Sequence, residues 1–368
     1  MRLPDARWRE PFVLAAPVLP NCSVRVIFGL GSLDRVGAET SRLGARALLI
    51  AGPHEDGAAS AIERQLGAAV VGRLRDIAQH VPTELAAAAT QRAAGADVLV
   101  AVGGGSATGL AKAIARETGL AILAVPTTYA GSEMTSIWGL TDDRGKTTGR
   151  DPQVLPATVV YDAGLTVSLP PTISGPSGLN ALAHALEALY APDVTPEMST
   201  VAGEAMASLA ASLPRVVTAP DDLDARAQAL YGAWLAGWTL GATTMGLHHK
   251  LAHVLGGSYR LPHAGTHSAL LPQVAAFNAS AAPAAFNRAA DALGVDSGDR
   301  VGAALFDLAR QIAAPTSLAE LGLPRDAIVA VAAAVATSVA AGGVANPRPV
   351  TEPDLRKLFD GAYEGTRP

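Results

Sequence analysis

The chain has 368 residues, 49% of them hydrophobic and only 4% aromatic, with a formal net charge of −5. That length suits two domains, and an acidic balance without a basic run excludes nucleic acid as an expected partner. The single cysteine, Cys22, excludes an internal disulfide and any multi-cysteine metal site.

The N-terminal stretch MRLPDARWREPFVLAAPVLPNCSVRV has an apolar patch interrupted by Pro17 and Pro20. It leads straight into a strand-like run, so it reads as mature protein rather than a signal peptide. No apolar run is long enough to span a membrane, and a soluble, cytoplasmic protein is expected. SVRVIFG, ARALLIAG, AAVVGRL, ADVLVAVGGG and LAILAVPTT read as strands rich in Val, Ile and Leu. Alanine-rich helical segments lie between several of them, at residues 83–95 and 108–118. Continuous apolar runs alternating with helices predict a parallel sheet buried on both faces. TDDRGKTTGR then reads as a polar arm turning between Asp142 and Lys146, and LPATVVYD as one more strand. Beyond LTVSLPPTISGPSG the pattern becomes long Ala/Leu helices to the C-terminus. The predicted division is therefore an α/β domain over 1–164 and an all-helical domain over 165–368.

Several segments carry chemistry. In VLVAVGGGSATGLAKAIA a strand ends in Gly103, Gly104, Gly105 and Ser106, and a helix opens near Thr108. Glycines let backbone amides approach an anion, and the helix N-terminus adds its dipole, which makes a pyrophosphate cradle without the GxGxxG fingerprint. AVPTTYAGSEMT follows another strand, with Thr127, Thr128, Gly131 and Ser132 at the carboxyl end of the sheet, where open α/β folds bind ligands. Two such loops together point to a dinucleotide. In LLIAGPHEDG the strand tip is Ala51-Gly52-Pro53-His54, with Glu55 only later, so nothing at the tip is expected to reject a 2′-phosphate. Asn180 and His184, and likewise His249 and His253, are four apart on helices, hence on one face, and His263 follows. This cluster suits either a metal or proton chemistry. Lys146, Arg150, Lys250 and Arg348 are cations placed to meet an acidic substrate.

Taken together, GGGSATGLAKAIA, PTTYAGSEMT, GLNALAHALEALYA and HHKLAHVLGG…LPHAGTH resemble the iron-containing (group III) alcohol dehydrogenase superfamily over essentially the whole chain. YAGSEMTSIWGLT, KTTGRDPQVLPATVVYD, ALYGAWLAG and NPRPVT are similar to its maleylacetate reductase subfamily. The resemblance implies the dehydroquinate synthase-like fold: an N-terminal nucleotide-binding α/β domain, an all-α catalytic domain, an active site in the cleft between them, and a homodimer. It implies NADH or NADPH as cofactor, bound through Gly103, Gly104, Gly105, Ser106, Thr127, Thr128 and Ser132. In metal-dependent relatives four ligands come from an Asp, the His four residues on, and two histidines fourteen apart. Those positions are Asn180, His184, His249 and His263 here, with His253 matching a further active-site histidine.

An amide in place of a carboxylate removes a full charge from the ligand set. Three histidines can still hold a metal, yet the subfamily typically carries Asn at this position, so no metal is expected. The implied reaction is hydride addition to the activated double bond of maleylacetate, giving 3-oxoadipate. The histidines would handle protons, with Lys250 beside them, and Lys146 and Arg150 would hold substrate carboxylates. The competing expectations are a metal-dependent alcohol dehydrogenase and a non-redox lyase, dehydratase or cyclase on the same fold. Gly265, Gly175, Pro176 and Arg260 depart from the subfamily pattern near the histidines and are expected to bear on the choice of substrate.

Overall fold

The structure, a computed structural model, describes residues 7–19, 22–143 and 145–368. The chain divides into two compact units, residues 1–169 and 170–368. Parts of the N-terminal reading (residues 1–6, 20 and 21) and Arg144 in the expected polar turn lie outside the described residues.

The first unit carries β1 (Phe12–Leu19), β2 (Cys22–Phe28), α1 (Val36–Leu43), β3 (Ala47–Ala51), α2 (Asp56–Leu66), β4 (Val70–Leu74), α3 (Thr83–Arg92), β5 (Val98–Gly103), α4 (Gly105–Thr118), β6 (Ala121–Pro126), β7 (Ile137–Asp142), β8 (Gly145–Arg150) and β9 (Thr158–Tyr161). Seven strands form one sheet in the order β1-β2-β9-β6-β5-β3-β4, while β7 and β8 form a separate antiparallel ribbon. Among the described residues, only the β1–β2 pair in the large sheet is antiparallel.

Period-two alternation explains the two-sided core. Leu48, Ile50, Leu99 and Ala101 pack on one face with Ala86, Ala89, Leu110 and Ile114 of α3 and α4. Leu49, Ala51, Val100 and Val102 pack on the other with Val36, Ala59 and Ile62 of α1 and α2. β1 was not expected as a strand. Its edge position explains this: Val13, Ala15 and Pro17 face solvent, Ala16 and Val18 are buried, and an edge strand tolerates a proline that lacks an amide donor. α4 begins at Gly105, three residues before the expected start, so Ser106 belongs to its first turn.

The second unit is helical: α5 (Pro171–Leu189), α6 (Pro196–Thr218), α7 (Leu223–Ala242), α8 (Leu247–Tyr259), α9 (His263–Asn278), α10 (Pro283–Leu293), α11 (Val301–Gln311), α12 (Ala327–Ala340) and α13 (Glu352–Glu364). α5 is buried on every face from Ser174 to its end, which makes it a central helix. Its polar residues Asn180, His184 and Glu187 are therefore inside the unit. Leu247, Leu251 and Leu255 of α8, Leu270 and Val274 of α9, and residues of α12 and α13 form one apolar cluster that fixes the histidine-bearing helices. No helix among the described residues is long and apolar enough to cross a membrane.

Candidate active site

In the first unit, the loops after β5 and β6 meet. Gly103 has φ +142°, and a Cβ on Gly104 would stand 2.9 Å from Thr128 Cγ2, so glycine is what permits the approach. The Thr127 amide donates to the Gly103 carbonyl at 3.2 Å and ties the two loops together. At the start of α4 no side chain caps the helix and no acidic residue occupies the first turn. The first-turn amides thus keep their donors and the positive end of the dipole for an anion.

The second loop is held from beneath by Lys112 on α4. Its Nζ donates to Ser132 O (2.7 Å), Thr135 O (2.7 Å), Thr135 Oγ1 (2.9 Å) and Ile137 O (2.9 Å). Complete burial pushes the Lys112 amine down to about 7 against the opposing charge of Glu133. An ammonium meets these four oxygens with three protons, one of them shared between two acceptors. Lys112→Met is expected to cost about 2–3 kcal/mol, because buried carbonyls lose their donor; a chemical denaturation curve checks this, and a loss under 1 kcal/mol would remove the loop-holding role. Glu133 is buried beside it, its carboxyl raised by burial, and accepts from the Tyr161 hydroxyl at 2.8 Å. Sequence reasoning passed over this network because Lys112 and Glu133 look like ordinary polar residues of a helix and a loop.

At the tip of β3 the structure adds a residue that was placed too far along to matter. Glu55 folds back so that its Oε1 accepts from Thr127 Oγ1 at 3.5 Å and would lie 3.6 Å from a Cβ on Gly103.

In the second unit, α5, α8 and α9 bring histidines together. The His184 and His249 rings are 4.9 Å apart, His249 and His267 5.0 Å, and His184 and His267 6.4 Å. His253 lies 6.2 Å from His249, and His263 lies 6.3 Å from His253 and 4.6 Å from His267. All the expected histidines are thus gathered, together with two that were not singled out. His248 and His267 are fully buried and share a hydrogen bond, Nε2 to Nδ1, of 2.8 Å. The available signal was spacing: His267 is four residues after His263.

Glu187, also unexpected, organises the cluster. Its carboxylate accepts from the amides of His248 (2.7 Å) and Gly246 (3.0 Å), and meets His249 Nδ1 at 2.5 Å. Burial opposes its charge, but these donors, His249 foremost, hold it below the usual carboxylate range. His249 therefore donates from Nδ1 and turns Nε2 the other way. Burial, reinforced by the neighbouring imidazoles, lowers His184 and His267 well below the usual histidine range. Burial likewise takes His248 to about 3, although Glu187 opposes it. His184, His248 and His267 are thus neutral near pH 7, and of the hydrogen-bonded pair His248 and His267 only the one that donates keeps a free lone pair on its other nitrogen.

Two of the expected cations stand outside the histidine network. No hydrogen bond or ion pair joins the Lys250 side chain to the histidines among the described residues. Arg348 stacks 4.2 Å over Phe277 and donates to its carbonyl at 3.2 Å, so it pins a loop rather than awaiting a substrate. Lys146 and Arg150 lie on β8, in the first unit, on one side of the strand. A Cβ on Gly265 would meet Leu321 and Pro315, and one on Gly175 would meet Ile312. Arg260, at φ +54°, forms the left-handed C-cap of α8. Gly265 and Gly175 are accordingly packing positions, and Arg260 is a backbone one.

The model of the family described as iron-containing alcohol dehydrogenase matches residues 23–163, and that of the C-terminal domain of the Fe-containing alcohol dehydrogenase family matches 175–363. The chain belongs to the iron-containing alcohol dehydrogenase family. Within it, the chain is 51% identical over 346 residues to the maleylacetate reductase of Sphingobium indicum, covering 94% of this chain and 96% of that one. The crystal structure of maleylacetate reductase from Agrobacterium tumefaciens superposes with a TM-score of 0.87 at 46% identity, covering 94% and 97% of the two chains. That of an iron-containing alcohol dehydrogenase from Corynebacterium glutamicum gives 0.86 at 42%, covering 93% and 95%.

These matches correct the expectation that no metal is involved: the family is iron-containing, and so is a structural relative at 42% identity by its name. The expectation rested on the amide at position 180 and on resemblance to a subfamily that typically carries it, although three histidines can still hold a metal. Asn180 Oδ1, His184 Nδ1, His249 Nε2 and His267 Nε2 are buried with no protein hydrogen-bond partner. Three imidazole nitrogens and an amide oxygen are donors that suit divalent iron in kind. No three His, Cys, Asp or Glu side chains among the described residues already stand in a metal-holding arrangement. The donors thus fit the ion by type and availability rather than by a closed geometry.

Proposed function

We propose that this oxidoreductase reduces the activated carbon–carbon double bond of maleylacetate, or of a closely related unsaturated oxo-dicarboxylate, to the 3-oxoadipate type of product. NADH or NADPH is the hydride donor. The observation that carries this reading is 51% identity to a maleylacetate reductase over 94% of the chain. The glycine cradle of α4 and the loop after β6 support nucleotide binding through Gly103, Gly104, Gly105, Ser106, Thr127, Thr128 and Ser132. The comparisons favour neither a small-alcohol dehydrogenase nor a non-redox lyase.

Hydride adds to the β-carbon of the double bond, and electron density moves to the conjugated carbonyl as an enolate. Donors aimed at that oxygen lower the barrier, and a proton then completes the product. His253, a half-exposed histidine of the cluster, is the group we assign to that proton. Lys146 and Arg150 are assigned to the substrate carboxylates. Asn180, His184, His249 and an α9 histidine, His263 or His267, would hold iron, whose Lewis acidity polarises the substrate oxygen when it is bound. Glu187 keeps the His249 tautomer fixed throughout. The proposed assembly is a homodimer and the proposed compartment the cytoplasm.

The deciding experiment follows the reduced-nicotinamide absorbance with maleylacetate and each nucleotide in turn. Stoichiometric oxidation with product formation is expected, and no oxidation above background overturns the reading. In the same assay His253→Ala is expected to lower kcat by about 10²–10⁴ with little change in nucleotide Kd. An unchanged kcat would free His253 of any role in proton transfer.

A further inference from the structure

Strand order locates a crevice in the first unit. From β3 the chain runs outward to β4, then returns past β3 to β5 and continues in the opposite direction to β6 and β9. α2 packs on one face of the sheet, α3 and α4 on the other. The β3–β5 boundary is thus the topological switch point, where open α/β sheets hold their ligand beyond the carboxyl ends of the strands.

Glu55 stands at that boundary. Its Oε2 would lie 3.2 Å from a Cβ on Gly52, at the tip of β3, and its Oε1 3.6 Å from a Cβ on Gly103, the last residue of β5. Thr127, just beyond β6, donates to Oε1 at 3.5 Å. Glycine at both tips leaves the carboxylate directly over bare backbone, half-buried, with no cation paired to it among the described residues.

The nearby arginines are already engaged. Arg73 donates to the carbonyls of Ala51 (3.2 Å) and Gly52 (3.1 Å) and pairs with Asp56, and Arg75 pairs with Asp56 at 2.8 Å. What faces the crevice from the β3 tip is therefore an acceptor with a negative charge, while the adjacent Arg73 and Arg75 share the one carboxylate of Asp56.

From this geometry, and resting on the nucleotide reading above, we propose that Glu55 is the residue that selects NADH over NADPH. The carboxylate accepts hydrogen bonds from the adenosine ribose hydroxyls. A 2′-phosphate in the same place sets about two negative charges against it, and both neighbouring arginines are already bound to Asp56.

The test measures kcat and KM for both nucleotides with maleylacetate, and Kd for both without substrate, in the full-length protein and in Glu55→Gln and Glu55→Ala. The parent is expected to prefer NADH by about tenfold or more, and both variants to shift that ratio toward NADPH by about tenfold, in KM and Kd rather than in kcat. An unchanged ratio in both variants, or a parent that prefers NADPH, overturns the proposal. If the parent binds neither nucleotide, the cradle reading falls and takes Glu55 with it. If both bind but maleylacetate is not reduced, the substrate reading fails, while the Kd ratios still decide the role of Glu55.

Discussion

Glu187→Ala is expected to lower the free energy of unfolding by about 3–5 kcal/mol, the cost of breaking a buried charged pair from one side. Glu187 is 1% exposed and meets His249, His248 and Gly246 within one small region of α5 and α8. Truncation removes the acceptor of the Gly246, His248 and His249 amides and of the His249 Nδ1 proton. Glu187→Gln is the informative companion, because an amide has one acceptor oxygen where the carboxylate has two: Oε1 takes the His248 amide, and Oε2 takes the Gly246 amide and His249 Nδ1. With its oxygen in the Oε2 place, the variant keeps the Gly246 and His249 bonds and loses that to the His248 amide. The glutamine variant should therefore be destabilised less than the alanine variant and keep the His249 tautomer. Chemical denaturation of both variants checks the first expectation, and a loss below about 1 kcal/mol for Glu187→Ala would show that the pair is not what holds α5 to α8.

Asn180→Asp is expected to tighten Fe(II) binding by about 10–100-fold, because it returns a carboxylate to a donor set that is otherwise neutral. The side-chain oxygen at this position is buried and has no hydrogen-bond partner. The same change places an uncompensated charge among neutral imidazoles when iron is removed, which is destabilising. The variant should thus melt below the parent without metal and gain more than the parent when Fe(II) is added. Metal content per chain and the Fe(II)-induced shift in melting temperature, both measured anaerobically, are independent of turnover. Equal shifts in variant and parent would mean that Asn180 does not face the ion.

Much of the α/β unit was legible because strands buried on both faces must be continuous apolar runs, and VLVAVG and AILAVP are just that. The edge strand β1 was not, since only half of its residues are buried and Pro17 weakens the pattern. At the site, the four-residue spacing on α5 and α8 revealed Asn180, His184, His249 and His253. Glu187 is three residues after His184 on the same buried face, yet a glutamate in a helix carries no mark of burial in its letter. Lys112 escaped for the same reason. The absence of metal was inferred from the amide at position 180 and the subfamily resemblance, and the family match corrected it.

Residue order alone therefore settled what depends on local period and side-chain chemistry: the alternating sheet and helices, the glycine turn that opens α4, and the amide at position 180. The tertiary structure decided what depends on groups remote in the chain and on the loss of water around them. Packing α8 against α5 buries Glu187 beside His249 and keeps His184, His248 and His267 neutral. Bringing β3 beside β5 carries Glu55 over Gly103, across 48 positions of sequence. Charge and proton affinity at both places are set by that burial and proximity, which no short stretch of sequence encodes.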